Sequence, residues 1–233
     1  MPRCTACKHR VSSWQGAGRY NQHLRHSRAR AGRTQVSYSG VCINLVLSVV
    51  LIIGAYQVYF WCQRRRLFEP REWPAHLDRF IPYAPGWVWI YSFLYYPAIL
   101  CVNLVVKSSE EFNRVACSYL LLLLLQAGFF LFLPVRTPGL WRRAGSGDSA
   151  SERLLALVQR FDAPTNSFPS MHTSVAMLTA LHLAGVYGAA VFAFPVLIGM
   201  SCVLTKQHYL VDLPPGAALG WVAYEAYARF LAL

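Results

Sequence analysis

The sequence predicts an all-α fold, a polytopic membrane bundle of about six transmembrane helices. Composition is the first reason: 55% of the 233 residues are hydrophobic and only 14% are charged, outside the range of ordinary soluble domains. The second is that the apolar residues gather into runs at about 41–61, 86–106, 115–133, 173–187, 188–204 and 216–233. At roughly 1.5 Å of rise per residue, most of these runs are long enough for a hydrocarbon core of about 30 Å. Six crossings leave little chain for a separate soluble domain.

Before the first run, residues 1–40 carry eight Arg or Lys and no acidic residue, and so hold most of the formal charge of +12. This tail reads as a disordered basic arm drawn to anionic lipid head groups, or as an Arg-rich transit peptide. Cys4, Cys7 and His9 form half of a zinc pattern with no second half. The other five cysteines lie in or beside the spans, where a thiol behaves as a small hydrophobe, and no disulfide framework is expected.

After the first span, "CQRRRLFEPREWPAHLDRFIPYAPG" is rich in Arg, Trp and Pro and belongs at the head-group level. Pro82 and Pro85 start the second span near Gly86, and "VKSSEEFNR" is a short polar turn into the third. The third, "SYLLLLLLQAGFFLFL", stops at "PVRTPG". The interior loop over 134–171 is the longest, with "RRAGSGDSASE" at its centre and an amphipathic helix expected at "SERLLALVQRF". The fourth and fifth runs are short and uncharged between Leu183 and Leu204, which predicts a tight hairpin at Tyr187-Gly188. In the last run Gly216 and Gly220 have the Gly-x-x-x-Gly spacing that lets backbones approach, and Glu225 and Arg229 form an i,i+4 pair.

Counting crossings gathers the polar residues. Odd spans end, and even spans begin, on one face, which brings Arg136, His172, Lys206, His208 and Asp212 to the same interface. Ionisable groups at the edge of an apolar bundle are costly unless they pair or work. Each has a structural reading: His172 and Ser170 as helix caps, Lys206 as a snorkelling anchor, His208 and Asp212 as a hydrogen-bonded pair one helical turn apart. Together they suit phosphoryl transfer. Imidazole changes charge near neutral pH, so one histidine can attack while the other protonates the leaving oxygen. An Asp212 that accepts the Nδ1 proton of His208 leaves Nε2 as the uncharged nucleophile, and His172 is then the acid. The cations and the N–H groups opening the fourth helix hold the phosphoryl oxygens.

With "PSMH" at 169–172 and "SCVLTKQHYLVD" at 201–212, the chain resembles the type 2 phosphatidic acid phosphatase superfamily. Its second signature is Pro-Ser-Gly-His and its third Ser-Arg-x5-His-x3-Asp; Ser201, His208 and Asp212 are in register, and Cys202 replaces the arginine. The first signature, Lys-x6-Arg-Pro, is matched only at Arg136: Phe129 stands where the lysine belongs and Pro138 follows a threonine. "SFPSMH" and "KQHYLVD" are similar to the branch that includes inositolphosphorylceramide synthases. The resemblance covers about residues 115–233 and implies that the membrane domain, 41–233, is a phosphatase or phosphotransferase that acts on a lipid phosphate or phospholipid in the bilayer. It implies His172, His208 and Asp212 as catalytic residues, with Arg136 and Ser170 binding phosphate; we expect Lys206 to supply the charge of the missing lysine. No cofactor, metal or nucleic-acid partner is expected, although His172, His208 and Asp212 also have the ligand types of a zinc site. Twenty-two Arg and Lys divide evenly between the two faces, so charge does not orient the bundle; the resemblance places the site on the extracytoplasmic face. Two other readings stand beside this one, a proton-relaying transporter with His182 in mid-span and an inactive scaffold of the same fold.

Overall fold

The structure, a computed structural model, describes residues 38–65, 67–142 and 148–231. Cys4, Cys7, His9 and the basic tail up to residue 37 lie outside the described residues, as do residues 143–147 of the interior loop. Residues 38–40, expected in the tail, open the first helix.

Helix α1 spans Tyr38–Arg64, with no acidic side chain in its first turn. It exposes Ile43, Val46, Val50 and Ile53, which suits a lipid-facing surface. The chain then forms β1, Arg71–Glu72, which later pairs in parallel with β2, Val135–Arg136. The second apolar segment, Pro85–Leu104, is not one regular helix. It opens with a 3₁₀ turn, widens to a π turn over Ile90–Leu94, and becomes α-helical as α2 over Tyr95–Cys101. Pro97 has no N–H to offer the carbonyl of Phe93 inside that π turn.

Helix α3, Ser109–Phe132, starts where the Ser108 hydroxyl accepts from the Glu111 N–H at 3.1 Å, with Glu110 and Glu111 against the positive helix end. The amphipathic helix expected in the interior loop is α4, Ala150–Phe161, begun by a capping box of Ser149 and Glu152. Next come α5, Met171–Tyr187, α6, Ala193–Leu204, and α7, Leu213–Ala226, the last extended by a π turn over Tyr227–Leu231. The expected hairpin is present: Gly188 has φ 69° and ψ −163°, a conformation almost confined to glycine. It folds α6 back along α5, so that His172 and Cys202, at opposite ends of this segment, become neighbours.

By length and apolarity, four segments can cross a membrane: Ser39–Arg64, Pro85–Leu104, Ser109–Phe132 and Met171–Leu204. The six expected runs differ from these four because the fourth segment contains both arms of the hairpin, while α7 with its π turn is not among the segments long and apolar enough.

In lipid, burial of apolar side chains drives helices together only weakly, so close packing and hydrogen bonds must hold them. The closest approach joins α5 to α7. A Cβ on Gly216 would stand 2.6 Å from the Ser170 carbonyl oxygen, and one on Gly220 would overlap that of Ser174. Gln126 Nε2 donates to Ser174 Oγ at 2.8 Å, and the hydroxyls of Tyr119 and Thr179 meet at 2.8 Å. Such bonds contribute about 0.6 kcal/mol each in a bilayer. The core lies along α5, where Ala176 and Leu178 are fully buried in one cluster with Ile198 and Ala223. His182 is a paired interior side chain: its Nε2 lies 2.9 Å from Ser118 Oγ, with Tyr119, Tyr224 and Tyr227 around the ring.

Candidate active site

One end of the bundle collects the start of α5, the end of α6 and the loop into α7. Ser170 caps α5, accepting from the Thr173 N–H at 3.3 Å, while its own N–H donates to the Asp212 carbonyl at 3.1 Å. That second bond ties the first turn of α5 to the start of α7. His172, in that first turn, packs between Tyr91 and Tyr95, at ring-centroid distances of 4.3 and 5.1 Å. Its Nδ1 lies 3.5 Å from the Tyr91 hydroxyl.

Beyond α6 the chain turns sharply. Lys206 takes a left-handed conformation, φ 57°, and the N–H groups of Gln207 and His208 both donate to the Cys202 carbonyl. The two histidine rings then stand 5.8 Å apart, nearly edge to face. Nδ1 of His208 lies 2.9 Å from the Ser167 carbonyl oxygen. A carbonyl only accepts, so Nδ1 carries the proton and Nε2 of the neutral ring keeps its lone pair.

The expected pair of His208 and Asp212 is present as a longer contact, with a different geometry. His208 and Asp212 do not share a face of an α-helix, because Leu210–Asp212 is a 3₁₀ turn. Asp212 Oδ2 is 3.4 Å from Nδ1, farther than Ser167 O, and accepts instead from the Tyr209 N–H at 2.9 Å and from Ser167 Oγ. Asp212 thus braces both segments that hold His208. It is fully buried, and among the described residues its Oδ1 has no hydrogen-bond partner.

The expected phosphate-binding residues lie at the same end, each with a partner. Arg136 Nε pairs with Glu72 Oε1 at 3.1 Å, a contact set by the parallel register of β1 and β2, and its carbonyl accepts from the Tyr209 hydroxyl at 3.0 Å. Lys206 Nζ donates to the carbonyls of Asp78 and Ile81, both at 2.7 Å, and lies over the Trp141 ring. Burial lowers the Lys206 pKa, and Asp78 works against that shift. The Ser170 hydroxyl, besides capping α5, accepts from the Thr173 hydroxyl at 3.2 Å.

Several residues that shape this end escaped the sequence reading. Asp78 Oδ1 accepts from the Leu210 N–H at 2.7 Å and anchors the histidine loop. Tyr209 is fully buried, its phenol pushed up to about 12 by that burial, so at neutral pH it keeps the proton it donates to Arg136. The only available hint of Ser167 was its place in "SFPSMH"; nothing distinguished Tyr91 from the other tyrosines of its span. Below His172 an apolar cavity of about 490 Å³ opens between α1, the Pro85–Leu104 segment, α3 and α5, lined by Leu51, Tyr56, Ile99, Leu122 and Val175 among others.

The chain is 34% identical over 71 residues to an uncharacterized protein from Methanocaldococcus jannaschii, a match spanning 28% of this chain and 28% of that one. No solved structure matches it. The model of the PAP2 superfamily matches residues 74–226, from the loop that anchors Lys206 through both histidines to the end of α7. That match takes in most of the chain, which therefore belongs to the PAP2 superfamily.

Proposed function

We propose that the protein is a phosphatase-like phosphoesterase of the membrane, acting on a lipid phosphate or phospholipid through a phosphohistidine at His208. One observation carries this reading: two imidazole rings stand 5.8 Å apart, edge to face, and the Nδ1 of His208 is tied to a carbonyl. Nε2 of His208 attacks phosphorus as the bond to the leaving oxygen breaks, and His172 gives that oxygen its proton. Water or an alcohol then takes the phosphoryl group from the histidine. An alcohol acceptor corresponds to the inositolphosphotransferase-like branch suggested by "SFPSMH" and "KQHYLVD". The Ser167 carbonyl and Asp212 stabilise the positive charge that grows on His208. Arg136 exchanges its exposed Glu72 partner for the phosphate, Ser170 and the N–H groups of α5 provide further donors, and Lys206 adds positive field. The apolar cavity beneath His172 suits a lipid chain. Six crossings, with this end on the extracytoplasmic side, complete the reading.

The test is the purified protein without added metal, given a panel of lipid phosphates and diphosphates with and without alcohol acceptors. Released phosphate identifies a phosphatase and a new phosphodiester identifies a transferase. On an activated substrate such as p-nitrophenyl phosphate, His172→Ala retains far more turnover than His208→Ala, because a good leaving group needs no acid. Equal losses on activated and natural substrates would refute the division of roles.

A further inference from the structure

Among the described residues, His172, Cys202 and His208 form a group whose ligand atoms all lie within 4.8 Å of one another. The third member differs from the one the sequence suggested: the Asp212 carboxylate is taken up by Tyr209 and Ser167, and a thiol stands at the position where the family carries arginine. The three donors come from the start of α5, the end of α6 and the loop before α7, so the hairpin and the loop bring them together. Bonds of about 2.0–2.1 Å to nitrogen and 2.3 Å to sulfur place tetrahedral ligand atoms roughly 3.5 Å apart. Side-chain rotations of about 1 Å therefore close the group around an ion.

The surroundings fit a metal centre in two further respects. Each histidine has its Nδ1 facing an oxygen, Ser167 O at 2.9 Å and the Tyr91 hydroxyl at 3.5 Å, which leaves both Nε2 atoms as donors. Outer partners of this kind orient metal-binding imidazoles. Cys202 has no exposed surface, so its sulfur meets the group and not solvent. One thiolate and two imidazoles select a soft divalent ion of the zinc class and leave its fourth position open.

We infer that His172, Cys202 and His208 bind a zinc-class cation, and that the bound ion blocks phosphoryl transfer by occupying Nε2 of His208. Coordination releases the Cys202 proton to solvent and forms one sulfur–metal and two nitrogen–metal bonds. The blocking effect rests on the proposed role of His208; the binding site does not.

The experiment titrates cobalt(II), then zinc, into the full chain in detergent, with Cys4→Ser and Cys7→Ser as background so that the tail thiols take no part. One cobalt per chain is expected, with a thiolate-to-cobalt absorption band that zinc abolishes. Zinc should also raise the unfolding temperature, as a ligand of the folded state does. Cys202→Ser should lose the band and weaken zinc binding at least tenfold. If it fails to melt cooperatively, His172→Gln is used instead, with the same expected loss of affinity. A wild-type titration without the band, or a variant that binds zinc as tightly as the parent, overturns the site. Zinc should inhibit turnover reversibly, at concentrations that rise in Cys202→Ser by the factor seen in binding. Stoichiometric zinc with undiminished turnover overturns the blocking role. Absence of any phosphoesterase activity counts against the proposed function alone, since the spectra decide the site independently.

Discussion

Gly216→Ala tests the link between helix packing and the candidate site. The added methyl would stand 2.6 Å from the Ser170 carbonyl oxygen, while ordinary contact begins at 3.4 Å, so the two must separate by about 0.8 Å. The obstructing atom is backbone and cannot rotate away. Ser170 is also bonded through its N–H to the Asp212 carbonyl, and two residues later the chain presents His172. Overpacking costs about 1–3 kcal/mol, against the roughly 1 kcal/mol of helix propensity that alanine gains over glycine. A backbone obstruction belongs to the upper part of that range, which leaves a net loss of about 1–2 kcal/mol. For a chain of this size the loss lowers the unfolding temperature by about 2–8 °C. Displacing His172 by nearly 1 Å relative to His208 should reduce turnover by about 10²-fold. Gly128→Ala is the control: its methyl meets nothing within 4 Å, so neither stability nor turnover should fall. Thermal melts in detergent and lipid phosphate turnover, measured on both variants, check the reasoning. A Gly216→Ala protein that melts and turns over like Gly128→Ala would refute it.

Three further substitutions separate roles at this end of the bundle. Asp212→Asn should cost about 10²-fold in turnover, well short of the roughly 10⁴-fold loss of the analogous triad substitution, because the Ser167 carbonyl still holds the Nδ1 proton; a loss near 10⁴ would make the carboxylate the determinant of the tautomer. Lys206→Met keeps the buried stem but leaves the carbonyls of Asp78 and Ile81 unpaired, and should cost roughly 2–4 kcal/mol in thermal or denaturant unfolding. Asp162 accepts from Tyr59 and Gln63, and burial raises its pKa. A raised acid pKa means the folded state holds the proton more tightly, so folding loses stability as pH climbs through and above the ordinary Asp range. Asp162→Asn preserves both bonds and removes that dependence; it should match the parent in acid and melt higher at neutral pH, and a lower melting temperature at pH 7 would reverse the sign.

Local pattern was enough to determine much of this protein. The helical fold, the amphipathic helix α4, the glycine turn at Gly188 and the Gly216/Gly220 contact all depend on residues close together in sequence, where helix geometry translates spacing directly into position. Crossing parity brought Arg136, His172, Lys206, His208 and Asp212 to one end without any structure, since a chain that spans a bilayer must alternate faces. Parity says nothing about which atoms meet within that end. Only the tertiary structure decided that Ser167 lies closer than Asp212 to the His208 proton, that Arg136 and Lys206 already have partners, and that Cys202 lies beside both histidines. Hydrogen bonds are decided over tenths of an ångström by backbone segments far apart in the chain. The left-handed turn at Lys206 and the bond from Ser170 to Asp212 fix those distances, and both exist only after the hairpin has closed and α7 has packed against α5.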